Sequence, residues 1–155
     1  PERDVPIALV LTEEDCRLGE FGLAALDIRG AAMLISSHLR SPRHVADHVA
    51  AFEKAALGDA VVRTGMEAEI IRADAPEDLA RWAEGRGARQ IVTAYVPTGP
   101  LADWIDTARP ALGARGITLA EWQRDWDALI WPHSTGGFFK VKKKIPHILI
   151  GSGLA

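Results

Sequence analysis

Gln90-Ile91-Val92-Thr93-Ala94-Tyr95-Val96-Pro97-Thr98-Gly99-Pro100 decides the fold. Gln90–Val96 is the expected strand, almost continuously apolar after Gln90, with Gly85 and Gly87 before it and Pro97 after it. Such a run suits a strand covered on both faces, the usual situation in a parallel sheet. Thr98-Gly99-Pro100 then opens a helix, because proline is tolerated at the first helical position, where the missing N–H has no helical partner.

Working outward, the same alternation recurs. Pro6–Leu11 (Pro-Ile-Ala-Leu-Val-Leu) is a second fully apolar run, and Ala31–Ser36, Glu67–Arg72 and Ile117–Trp122 complete five strands. Between them lie helical stretches. Ser41-Pro42 is a start signal followed by Val45, Val49, Phe52 and Ala56 at helical spacing, with Gly58 as a break and Gly65 as the end. Asp74-Ala75-Pro76-Glu77-Asp78 is another start, with acids at the positive end of the helix dipole and Leu79, Trp82 and Ala83 facing inward. Pro100–Ala114 carries Leu101, Trp104, Ile105, Ala108 and Leu112 inward, with a kink or break expected at Pro110. Cys16–Gly30 reads as a short helix or as a loop with an extra strand.

Strands alternating with helices predict an α/β fold, an open Rossmann-like parallel sheet of five strands in the order 3-2-1-4-5 with helices on both faces. Residues 1–150 read as one domain and 151–155 as a flexible tail. In such a sheet ligands bind beyond the carboxyl ends of the strands flanking the switch point, here the first and fourth. A ligand there would touch Thr12, Glu13, Tyr95, Pro97, Thr98 or Gly99. Thr98-Gly99-Pro100 suits a phosphate at a helix N-terminus and equally suits an ordinary turn. Tyr95, the only tyrosine, suits stacking on a flat ligand and equally a half-buried structural role.

Bulk properties narrow the classes. The 155 residues have a formal net charge of −3, so no global basic field recruits nucleic acid. Cys16 is the only cysteine, which excludes an intrachain disulfide and a cysteine zinc site. No apolar run approaches membrane-spanning length and no signal-peptide pattern opens the chain, so the expected compartment is the cytoplasm, with no membrane partner. Pro1 in place of Met points to processing or to a piece of a longer protein.

The "Gly87-Ala88-Arg89" before the fourth strand, the helix after Asp74, Asp127-Ala128-Leu129-Ile130-Trp131-Pro132 and Gly136-Gly137-Phe138-Phe139-Lys140-Val141 together resemble the α/β domain of the DNA photolyase and cryptochrome family. The resemblance spans roughly residues 66–149 and is closest to a bacterial branch of FAD-binding photolyase-like proteins, in which a Trp-Pro-His-Ala/Ser-Thr-x-Gly-Phe-Phe segment lies near the C-terminus. The front half departs: where the family has Arg-Asp-Leu-Arg after its first strand, this chain has Thr12-Glu13-Glu14-Asp15. The resemblance implies a domain that is not catalytic by itself and has room for an antenna chromophore or a nucleotide-like ligand. It also implies a partner, the helical FAD-binding domain of the same protein, which carries the flavin and meets DNA. The full-length protein would resemble a deoxyribodipyrimidine photo-lyase, active in DNA repair or light sensing. The alternative is a free-standing Rossmann-like nucleotide-binding enzyme, disfavoured because no G-x-G-x-x-G, P-loop or nucleophile elbow appears.

Other chemistry-bearing residues read as structural. His133 lacks a placed acid or base partner and suits orienting its loop. Glu13-Glu14-Asp15 reads as a solvated loop, and paired carboxylates alone are a weak metal signal. His44 and His48 stand four apart on the expected helix but lack a third ligand, so no metal is expected. The Lys140–Lys144 cluster suits phosphate contacts, or more simply a solvated helix face with Val141, Ile145 and Ile148 inward. The five tryptophans read as core or domain-contact residues. One of Phe138 and Phe139 is expected in the core, the other with Trp131 in an exposed apolar patch where the flavin domain would dock.

Overall fold

The fold is taken from a computed structural model that describes residues 1–154. Two compact units emerge, Pro1–Trp122 and a second beginning at Gln123, where the sequence suggests one domain over 1–150.

The first unit is built on five strands, β1 (Pro6–Leu11), β2 (Asp27–Ile35), β3 (Ala68–Arg72), β4 (Gln90–Ala94) and β5 (Thr118–Trp122). All neighbouring pairs are parallel, and the order is β3-β2-β1-β4-β5. β1 is hydrogen-bonded on both sides, and Ile7–Leu11 are all buried, which is why its sequence is apolar without alternation. Crossover helices are α1 (Asp47–Thr64), α2 (Pro76–Gly85) and α3 (Pro100–Gly113).

The sheet has two dissimilar faces. On one, α2 and α3 pack Leu79, Ala83, Trp104, Ile105, Ala108 and Leu112 against alternate strand residues such as Ala8, Val10, Leu34 and Ile91. Both helices carry proline at their start, as expected. α3 continues through Pro110 to Gly113. The ring sits in the last turn on an exposed side, so the bond it removes is one that water replaces. On the other face lie Ile7, Leu9, Leu11, Met33 and Val92, covered by α1 through Leu57 and Ala60 and by Leu18 and Phe21. Leu18 belongs to one of two short 3-10 turns, Leu18–Glu20 and Leu23–Ala25, and Phe21 lies between them. Phe21 stacks at 5.2 Å on Trp122.

α1 departs from its expected form. It begins at Asp47, since Ser41–Ala46 is irregular; it runs through Gly58 and closes at Gly65, which takes a φ of 70°. Val49 and Phe52 point to solvent, Phe52 with 76% exposure, while Glu53, Leu57 and Ala60 are buried. The helix is apolar on more than one side, so periodicity does not select its inner face.

The second unit holds α4 (Asp125–Ile130), α5 (Phe138–Lys142) and α6 (Ile145–Gly151). Gly136-Gly137 forms the expected turn: Gly137 takes a φ of 76°, and a Cβ on Gly136 would stand 2.7 Å from the Lys140 side chain. Phe138 and Phe139 do not divide between core and surface as expected. They are 66% and 75% exposed and touch edge to face. α5 is five residues long and offers too little surface to bury either ring. Gly151 ends α6, and Ser152–Leu154 donate backbone bonds back to it, so that part of the expected tail is a helix C-terminus. Ala155 lies outside the described residues.

Candidate functional site at the carboxyl edge

The switch point falls between β1 and β4, and the residues at their carboxyl ends are Thr12, Glu13, Thr93 and Tyr95. Val10 pairs with Thr93 across the ladder. Side chains alternate along a strand, so Thr93 stands on the same face as Ile91, and Thr12 continues the series Ala8, Val10. Both threonines therefore stand on the α2/α3 face, on adjacent strands. Each is 1% exposed, and neither Oγ1 has a hydrogen-bond partner. A buried hydroxyl without a partner costs about 1–3 kcal/mol.

Glu13 is held from the other side. Arg40 Nε donates to its Oε1 at 2.9 Å, and Ser36 Oγ donates to the same oxygen at 3.2 Å. Ser36 is also the link to Glu53, whose Oε1 accepts the backbone N–H of Ser36 at 2.6 Å and of Ser37 at 3.0 Å. Glu53 is 2% exposed, and its Oε2 has no partner. Burial, and then the neighbouring Glu53 carboxylate, push the Glu13 carboxyl above its ordinary value, against the opposing pull of Arg40 and Ser36. The expected solvated acidic loop is thus a tied network: Arg40 also binds Glu14 at 3.3 Å.

Tyr95 and Thr98 line a different space, a cavity of about 240 Å³ beside β5. Its electrostatics are set by Asp103, Asp106, Glu121 and Arg109. Arg109 bridges Asp106 at 3.1 Å and Glu121 at 2.9 Å, while the other Glu121 oxygen accepts the Val96 N–H at 3.0 Å. Three carboxylates against one guanidinium favour hydrogen-bond donors over anions there. Thr12 and Glu13 do not line this cavity. Pro97 is exposed and Gly99 half-buried ahead of α3, where Gly99 is the cap residue in extended backbone. The six sequence-derived candidates therefore form two groups, Thr12 with Glu13 and Tyr95 with Thr98, with Pro97 and Gly99 in the connecting loop.

Sequence reasoning passed over Thr93, Ser36, Arg40, Glu53 and Glu121. Thr93 was legible in principle as the one hydroxyl inside an apolar strand, and Glu53 as a carboxylate four and seven residues ahead of the buried Leu57 and Ala60. Neither residue type is marked by a motif.

The remaining candidates separate from this edge. His44 precedes α1, so it does not share a helix face with His48. Among the described residues, no group of three His, Cys, Asp or Glu side chains could hold a metal. Burial pushes the Cys16 thiol above its ordinary value, the reverse of what a nucleophile needs. His133 lies in a 3-10 turn of the second unit, and Trp131, Phe138 and Phe139 are exposed there. Among the described residues, no helix is long and apolar enough to cross a membrane. In comparison with known proteins, the chain matches no family model and no curated sequence.

Proposed function

We propose that Pro1–Trp122 is a binding domain that holds a planar, polar ligand beyond the carboxyl ends of β1 and β4, and that it serves as the accessory α/β half of a photolyase-like flavoprotein, not catalytic by itself. The single observation that carries the binding site is the pair of buried hydroxyls, Thr12 Oγ1 and Thr93 Oγ1, on adjacent strands at the switch point. A ligand offering one acceptor or donor to each would remove a cost that the fold otherwise bears. The flavoprotein assignment rests on the sequence resemblance and on the aromatic surface of the second unit, Trp131, Phe138 and Phe139, which suits an apolar partner domain. Fold likeness alone would not support it, since one sheet serves many chemistries.

The test is the near-ultraviolet and visible absorption of the purified protein, before and after titration with flavin mononucleotide, for wild type and for Thr12→Val/Thr93→Val. The expected result is a bound chromophore, or saturable uptake of the added one, that the double variant loses. Equal occupancy in both proteins would place the ligand elsewhere, and no binding in either would remove the reading. Stoichiometric FAD with light-driven dimer repair by this chain alone would overturn the non-catalytic part.

A further inference from the structure

A second cavity, of about 440 Å³, opens at the carboxyl ends of β2 and β3, one strand removed from the switch point. Its size falls within the range of small-molecule sites, roughly 300–1,000 Å³. Arg43, Arg72, His38 and His44 line it, with Asp47 the one acidic side chain among the lining residues. Arg43 has no carboxylate partner among the described residues. Arg72 uses Nε on Asp74 at 3.0 Å, which fixes the guanidinium and leaves its terminal nitrogens to a ligand. His38 Nε2 lies 3.1 Å from the Ala73 carbonyl and 3.2 Å from Asp74 Oδ1. Both are acceptors, so Nε2 carries the proton and is used within the fold, and Nδ1, an acceptor, gives an anion no donor. The first turn of α1 borders the same space, and its cap residue Ala46 supplies no side-chain acceptor for the free amides. Ile35, Val45 and Ala50 add an apolar wall.

We infer that this cavity binds a phosphomonoester of mononucleotide size, its phosphate against Arg43, Arg72 and the start of α1 and its flat body on the apolar wall. Two guanidiniums with free donors and an uncapped helix N-terminus select a dianion. The volume exceeds what phosphate alone fills. The site is independent of the proposed β1–β4 site and opposite in charge to the acidic cavity beside β5.

Calorimetric titration of the full chain at low ionic strength with adenosine 5′-monophosphate, adenosine and inorganic phosphate tests it. The expected result is saturable binding of the monophosphate, with adenosine and inorganic phosphate each at least about tenfold weaker. Arg43→Gln and Arg72→Gln should each weaken it by about tenfold, and Asp47→Asn, which removes the only repelling charge in the lining, should strengthen it by about threefold. Thr12→Val should leave it unchanged. Equal affinity for adenosine, or for inorganic phosphate, would sink the assignment, as would an Arg43→Gln variant that binds like wild type. Loss of binding in Thr12→Val but not in Arg43→Gln would overturn this site and favour the one between β1 and β4.

Discussion

The two faces of the sheet bury polar groups in opposite ways. On the α1 face Gln90 and Glu53 are buried; Glu53 Oε1 holds the Ser36 and Ser37 amides where the chain leaves β2, while its Oε2 has no partner. On the α2/α3 face the interior is apolar until the carboxyl edge, where Thr12 and Thr93 present hydroxyls to nothing in the protein. The first arrangement is architecture: without Glu53, α1 has only Leu57 and Ala60 fully inside. The second adds no stability. The difference separates a carboxylate oxygen that holds two backbone amides from hydroxyls left to the proposed ligand.

The largest loss is expected on the apolar face. Leu112→Ala, at a side chain with 0% exposure among α2, α3 and the strands, should cost about 2–5 kcal/mol in urea unfolding. A loss below about 1 kcal/mol would mean that this face is not the tight one. On the α1 face, Glu53→Ala should cost about 2–3 kcal/mol, because two buried amides lose their acceptor, while Glu53→Gln, which keeps one, should cost clearly less. Equal losses would point to the charge, not the hydrogen bonds, as the anchor.

Glu13 gives a smaller effect, visible only against pH. Its carboxyl is raised in the folded protein, so the native state holds a proton that the unfolded chain releases earlier. That contribution is complete below the ordinary glutamate value of 4.5 and is lost as pH rises through the raised value. Glu13→Gln should flatten the stability profile just above pH 4.5, and an unchanged profile would contradict a Glu13 carboxyl raised by its burial and by the neighbouring Glu53. The smallest loss is expected at Phe52→Ser, within about 0.5 kcal/mol, since the ring is 76% exposed. A loss of several kcal/mol would restore the sequence-based orientation of α1.

That orientation shows where the sequence is readable. β1, β4, α2 and α3 were legible almost to the residue because each has one buried environment: strands covered on both sides, helices with a single apolar stripe and proline at the start. α1 was not, because Val49, Phe52, Leu57 and Val62 surround the helix and the deciding contact is a carboxylate to two backbone amides far along the chain. The 3-10 turns of Leu18–Ala25 carry no period at all. At the candidate site, strand ends named Thr12 and Tyr95 correctly as edge residues. Their division between the β1 end and the cavity beside β5 depends on Glu121 and Arg109, which meet only in three dimensions.

The most direct measurement is the urea stability of the ligand-free Thr12→Val and Thr93→Val proteins beside wild type. If these hydroxyls serve a ligand and not the fold, each substitution removes an uncompensated buried polar group at nearly constant shape. The expected result is stability equal to wild type or higher by about 0.5–2 kcal/mol. A loss of 1 kcal/mol or more in both variants would show that the hydroxyls are bonded within the fold, and would contradict the assignment of the β1–β4 edge as a binding site.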